Sequence, residues 1–186
     1  MMDAVIYRSA TEQDIEAIAK LHALSWQLSY SGMLSDTYLE NDVYPERLDV
    51  WTQRLAHSNQ DQFVMVAAQN KAVLGFVCVF GCLLDSTNAQ WGPLVDNLHV
   101  HPEARGQGIG KSLMQQAAAW VVNSYDYQRM HLFVFTANEA ACKFYEKLGG
   151  TKSEATQKAM PDGELIPSLR YVWKAFDALL PMKNKA

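Results

Sequence analysis

No run of apolar residues in this 186-residue chain approaches the roughly 20 needed to cross a bilayer. The opening residues, Met1-Met2-Asp3-Ala4-Val5-Ile6, lack the basic stretch and long apolar stretch of a secretory signal. Neither a membrane protein nor a secreted one is expected, which leaves the cytoplasm. Cysteine is scarce: Cys78, Cys82 and Cys142 are an odd set without framework spacing, expected to stay reduced as small core residues. Cys78-x-x-x-Cys82 has no second Cys/His pair to complete four ligands, so no metal site is expected. A basic excess is missing as well, with a formal charge of −4, which argues against a nucleic-acid-binding face. Only 19% of residues are charged against 49% hydrophobic, a balance that excludes wholesale disorder and supplies a core. Repeats, low-complexity segments and linkers are absent too. One domain over residues 1–186, with its core at about 5–175, is the simplest organisation.

What is present is a clear alternation of patterns. Val5–Arg8 reads as a short strand, and Thr11-Glu12-Gln13-Asp14 opens a helix with a capping-box signature. Ile15, Ile18, Ala19, His22 and Trp26 give that helix a buried face, and it stops near Tyr30-Ser31-Gly32. A second helix is predicted over Glu46–Ala56, after a connection holding Tyr38 and Tyr44. Apolar runs at Phe63–Ala67 and Val73–Phe80, joined by Gln69-Asn70-Lys71, read as a hairpin. A third strand covers 94–100, followed by a glycine turn and a helix reaching about Val122. Met130–Phe135 is a buried strand, 138–148 a helix ended by Gly149-Gly150, and two last strands lie near 151–159 and 168–173, with Pro161-Asp162-Gly163 turning between them. The order β-α-α-β-β-β-α-β-α-β-β predicts an α+β layer rather than a doubly wound sheet.

The glycine turn carries the chemistry. In Arg105-Gly106-Gln107-Gly108-Ile109-Gly110 three glycines alternate between a strand and an amphipathic helix. Glycine admits positive φ and close approach of a ligand, and a helix start offers unpaired N–H groups to an anion. Arg105 adds a full charge and a forked donor. Gly110-Lys111-Ser112 ends like a Walker loop, but Arg105 stands where that loop requires its first glycine. The Gly-x-Gly-x-Gly spacing also departs from the Gly-x-Gly-x-x-Gly of dinucleotide-binding folds. A nucleotide enzyme is therefore disfavoured.

Leu98-His99-Val100-His101-Pro102-Glu103-Ala104-Arg105-Gly106-Gln107-Gly108-Ile109-Gly110 resembles motif A of the GNAT superfamily of N-acetyltransferases. Leu132–Phe135, Asn138 and Phe144-Tyr145-Glu146-Lys147-Leu148-Gly149 resemble its motif B, and the order of elements fits from about residue 5 to 175. The resemblance implies the GNAT acyl-CoA N-acyltransferase fold, a mixed central sheet splayed between strands 94–100 and 130–135 with helices on both faces. It implies acetyl transfer from acetyl-CoA, as cosubstrate, to a primary amine of a small molecule or peptide by direct attack in a ternary complex. Backbone groups of Leu98, His99 and Val100 would pair with pantetheine. The segment Arg105, Gly106, Gln107, Gly108, Ile109, Gly110, Lys111 and Ser112 would hold the pyrophosphate. Asn138 would contact the pantetheine arm, and Lys147 would reach a CoA phosphate or stand in solvent.

For catalysis, Tyr145 is the candidate acid for the leaving thiolate, its ordinary alternative being a core tyrosine beside Phe144. Members of the family often place a glutamate where Leu94 stands. Asp96 is the first substitute base, on the same strand face if no bulge intervenes, and His99 the second, since imidazole titrates near neutrality. Asp96 read otherwise is a surface charge, His99 a packed ring, and Asn138 a helix N-cap. Trp26 and Tyr30 are candidates for the acceptor pocket, in the same region as Tyr38 and Tyr44. A CoA-binding sensor that has lost catalysis is the competing function. Neither nucleic acid nor membrane is expected as a partner, and the protein is read as a monomer or homodimer.

Overall fold

Alternating apolar residues along the predicted strands build one seven-stranded sheet, in the order β1-β2-β3-β4-β5-β7-β6. The computed structural model describes residues 4–56, 61–82, 86–126, 128–160 and 163–180. The strands are β1 (Ile6–Ser9), β2 (Gln62–Gln69), β3 (Ala72–Phe80), β4 (Leu94–Val100), β5 (Met130–Phe135), β6 (Thr151–Ala159) and β7 (Leu165–Trp173). The helices are α1 (Ile15–Ser29), α2 (Val43–Ala56), α3 (Ile109–Ser124) and α4 (Glu139–Lys147). The α+β class and the element order agree with the sequence reading. The N-terminal residues 1–3 and Pro161-Asp162 of the last turn lie outside the described residues.

Local chemistry explains most boundaries. Thr11 N–H donates to the Asp14 carboxylate at 2.8 Å, closing the capping box that precedes α1. Asn70 and Lys71 both adopt positive φ, 49° and 69°, the tight turn whose twist matches a hairpin. α2 starts at Val43, three residues before the sequence reading, because it continues a preceding helical turn, with Val43 N–H donating to Tyr38 C=O. A wide turn of π type, Tyr38–Asp42, leads into it.

α1 and α2 cover one face of the sheet, and α3 with α4 the other. Val77, Val79 and Val95 pack under α3 through Ile109, Leu113 and Ala117, while Val64, Val66 and Phe76 pack under Ile18, Leu21 and Trp51. Cys78 and Cys142 are buried as expected; Cys82 is only half-buried, because β3 ends at Phe80 and the chain has left the sheet. Among the described residues no group of three or more His, Cys, Asp or Glu is placed to hold a metal, and no helix is long and apolar enough to cross a membrane.

Candidate active site

The sheet is mostly antiparallel, and its parallel pair opens it. β4 and β5 meet at a single register position, Leu94 opposite His131, and then diverge. His131 fixes the apex: its N–H donates to Pro93 C=O at 3.0 Å, and its Nδ1 lies 3.0 Å from Gly92 C=O. A carbonyl only accepts, so Nδ1 carries the proton. Burial, with Arg170 nearby, pushes the pKa of this imidazole down to about 4.

Beyond the apex, β4 presents a free edge. His101 N–H donates to Leu74 C=O at 2.7 Å, and His99 stands opposite Phe76. The alternation of an antiparallel ladder then turns the N–H and C=O groups of Leu98 and Val100 away from β3, into the gap. Arg105 Nε reaches Val100 C=O at 3.4 Å, so the arginine and the strand edge face the same space.

The glycine turn closes one end. Gly106 and Gly108 have φ of 77° and 80°, and nothing lies within 4 Å of where a Cβ would stand on either. An L-residue side chain would be strained at both positions and would project into open space. Gly108 caps α3, and the first helical bond runs from Ser112 N–H to Gly108 C=O at 3.0 Å. The N–H groups of Ile109, Gly110 and Lys111 precede it and have no carbonyl to meet within the helix. Gly110 lets α4 approach, since a Cβ there would stand 3.2 Å from Phe144 Cζ.

A cavity of about 500 Å³ occupies the gap. Leu98, His99, Val100, Arg105, Gly106, Gly108, Ile109, Gly110, Lys111, Asn138 and Tyr145 line it, and so do Asp96, Trp26 and Tyr30. Gln107, Ser112 and Lys147 are not among the lining side chains; Gln107 bends back to Glu103 C=O at 3.4 Å. Asn138 caps α4 through its Oδ1, which accepts from Ala141 N–H at 3.1 Å, leaving its amide NH2 to the cavity. The N-cap reading therefore holds, in a residue that also lines the cavity. Tyr38 lies behind Trp26 with its hydroxyl on Glu46, and Tyr44 is packed between helices.

A bulge does intervene at Asp96. Cys78 opposes Asn97 and Val79 opposes Val95, so Asp96 has no partner in β3. The extra residue turns Asp96 and Asn97 toward α2, where Arg54 takes both: Nη2 to Asp96 at 2.9 Å and Nη1 to Asn97 Oδ1 at 2.8 Å. His99 faces α1, its ring centroid 4.6 Å from that of His22. Burial lowers its pKa to about 4, with Asp96 opposing the shift and Arg105, Arg47 and Lys158 reinforcing it. Tyr145 is buried, and loss of solvent raises its pKa, as does the neighbouring Tyr30 phenol. At neutral pH the site therefore holds a neutral imidazole and a protonated phenol.

Several lining residues escaped the sequence reading: Ser25 and Ser29 of α1, Phe133 and Phe135 of β5, Phe144 of α4 and Lys158 of β6. Phe144 could have been found from its place beside Tyr145. Lys158 could not, because only the pairing of β6 with β7 brings it to the cavity.

A model of the acetyltransferase (GNAT) family matches residues 18–150. The uncharacterized N-acetyltransferase YuaI of Bacillus subtilis strain 168 is 29% identical over 143 residues, covering 76% of this chain and 78% of that one. The PaiA N-acetyltransferase of Thermoplasma acidophilum, solved in complex with coenzyme A, superposes with a TM-score of 0.67 at 19% identity, covering 89% of this chain and 98% of that one. YncA of Salmonella typhimurium, solved with acetyl-CoA, gives 0.65 at 17% identity over 92% of this chain and 94% of its own. At such identities the structures speak to the fold alone, and the fold is the same.

Proposed function

The chain belongs to the acetyltransferase (GNAT) family, and from that premise we propose that it transfers the acetyl group of acetyl-CoA to a primary amine of a small molecule or peptide, by direct attack in a ternary complex. The observation that carries this reading is the parting of β4 and β5 beside the glycine turn. One gap thereby joins an anion-binding turn, a strand edge with unspent backbone groups, and aromatic walls from α1. The open space over Gly106 and Gly108 fits a pyrophosphate, with Arg105 and Lys111 adding charge beside the free N–H groups of α3. Leu98 and Val100 offer paired donors and acceptors to a pantetheine arm, and the Asn138 amide a further donor.

Acetyl-CoA supplies an activated thioester acyl group. The chain then has three tasks. A backbone N–H of the β4 edge stabilises negative charge developing on the acyl oxygen, where a fixed dipole costs no reorganisation. His99 accepts the amine proton as the new bond forms; it is neutral at pH 7, whereas Asp96 spends an oxygen on Arg54. Tyr145, kept protonated by burial, returns a proton to the departing sulfur, so that position rather than bulk acidity makes it effective. One domain spanning the chain carries the whole reaction.

Mixing the protein with acetyl-CoA and a panel of amines, amino acids, polyamines and peptides tests the proposal through release of free CoA thiol. Amine-dependent release is expected. Binding of acetyl-CoA with release by no amine would instead favour a CoA-binding sensor, the function the missing glutamate at Leu94 suggests.

A further inference from the structure

Around α1, three buried polar atoms lack a partner among the described residues, and one of them belongs to a residue that lines the cavity. Trp51 Nε1–H donates to His22 Nδ1 at 3.1 Å, so the proton of this neutral ring sits on Nε2. His22 is 0% exposed, and its Nε2 has no partner among the described residues. One helical turn on, Ser25 is 3% exposed and lines the cavity, and its Oγ is likewise without a partner. Arg47 stacks its guanidinium 4.6 Å from the Trp26 ring, and its buried Nε also lacks an acceptor. Two of these three atoms can only donate, and the third can donate.

Lys158 completes the set. It stands opposite Ile166 across the β6–β7 ladder, and Ile166 packs with Trp26 and Phe135. Cross-strand partners share a sheet face, so Lys158 lies on the α1 side, and it lines the cavity there. The Coulomb field of Lys158 acts on both His22 and His99. Among the described residues the one carboxylate lining the cavity, Asp96, is already held by Arg54. A buried hydroxyl without a partner and a cation lining the same cavity suit an anionic oxygen ligand.

We propose that the acceptor is an amine that itself carries a carboxylate, an amino acid, whose carboxylate is held by Lys158 and Ser25 while its amine faces His99. This rests on the acetyl transfer proposed above and narrows its acceptor. It disfavours polyamines, which would bring cations to Lys158 and to donors that cannot accept a proton bond.

The test compares α-amino acids with their α-amino amides and decarboxylated amines, by steady-state acetyl transfer and by calorimetric binding to the protein with CoA present. Amino acids should show the lower KM and the lower Kd. Lys158→Ala should raise both about tenfold for the acids and leave those for the amides within about twofold, since only the acids lose a charge-assisted contact. Lys158→Arg should restore most of the difference, and Ser25→Ala should raise KM with little change in kcat. Amides or decarboxylated amines used as well as the acids, or a Lys158→Ala effect equal for all acceptors, would overturn the inference and leave acetyl transfer standing. Transfer to no amine, with CoA still bound, would remove both.

Discussion

Acidification should loosen this protein at the apex of its cleft, through His131. Its side chain is fully buried, its Nδ1 proton is committed to Gly92 C=O, and its Nε2 has no partner among the described residues. Protonation would put a second buried charge near Arg170. The pKa of about 4 in the fold compares with about 6.5 in the unfolded chain. Between those values the unfolded chain binds more protons, so stability rises with pH. The contribution is complete above about pH 6.5 and is lost as pH falls toward 4. Its full size is about 3.4 kcal/mol, from about 1.36 kcal/mol per pH unit. Moving from pH 7 to about 5.5 removes about 1.2 kcal/mol of it, or roughly 3 °C in Tm for a chain of this length. His131→Asn keeps a donor near the position of Nδ1 and abolishes the titration. Urea unfolding of both proteins at the two pH values, at constant ionic strength, isolates the term. The stability gap between them should shrink by about 1.2 kcal/mol on acidification; an unchanged gap would refute the argument.

Four further outcomes follow from the same geometry. His99→Gln should lower kcat by about 10²-fold or more while acetyl-CoA affinity holds, and an unaltered kcat would take the imidazole out of the reaction. Because the His99 pKa lies near 4, kcat/KM should show no histidine inflection around pH 6.5; one there, absent in His99→Gln, would contradict the assignment. Tyr145→Phe should slow single-turnover acetyl transfer with cofactor affinity preserved. Arg54→Leu strands the Asp96 carboxylate and the Asn97 amide and should cost about 2 kcal/mol in denaturant unfolding.

That the residues proposed to hold the cofactor line one cavity was legible because their placement is local. Gly106, Gly108 and the start of α3 are contiguous in sequence, and backbone dihedrals dictate what such a turn can hold. Asn138 and Tyr145 follow the same rule, being on one short helix directly after β5. The residues proposed for the acceptor were legible only in part: Trp26 and Tyr30 line the cavity as expected of α1, while Ser25 and Lys158 are brought to it from elements far apart in sequence. Lys158 reaches the cavity only through the register of β6 on β7, and Ser25 becomes informative only when it proves to be buried without a partner. The bulge at Asp96 is equally silent in sequence: Val95-Asp96-Asn97-Leu98 alternates plausibly as a regular strand, and only its pairing with Cys78 and Val79 reveals the extra residue. The early start of α2 has a different cause, since the helix continues the turn Tyr38–Asp42 that precedes it.

The central claim, that the Gly106–Lys111 turn holds acetyl-CoA, is tested most directly by thermal unfolding with and without that ligand. At a concentration of about 100 times Kd, a ligand bound only by the folded state adds about 2.7 kcal/mol, which should raise Tm by roughly 5–10 °C. Gly108→Glu places a carboxylate at the mouth of the turn and should abolish most of that rise, after correction for its own lower Tm. No rise in the wild-type protein, or an equal rise in Gly108→Glu, would contradict the account.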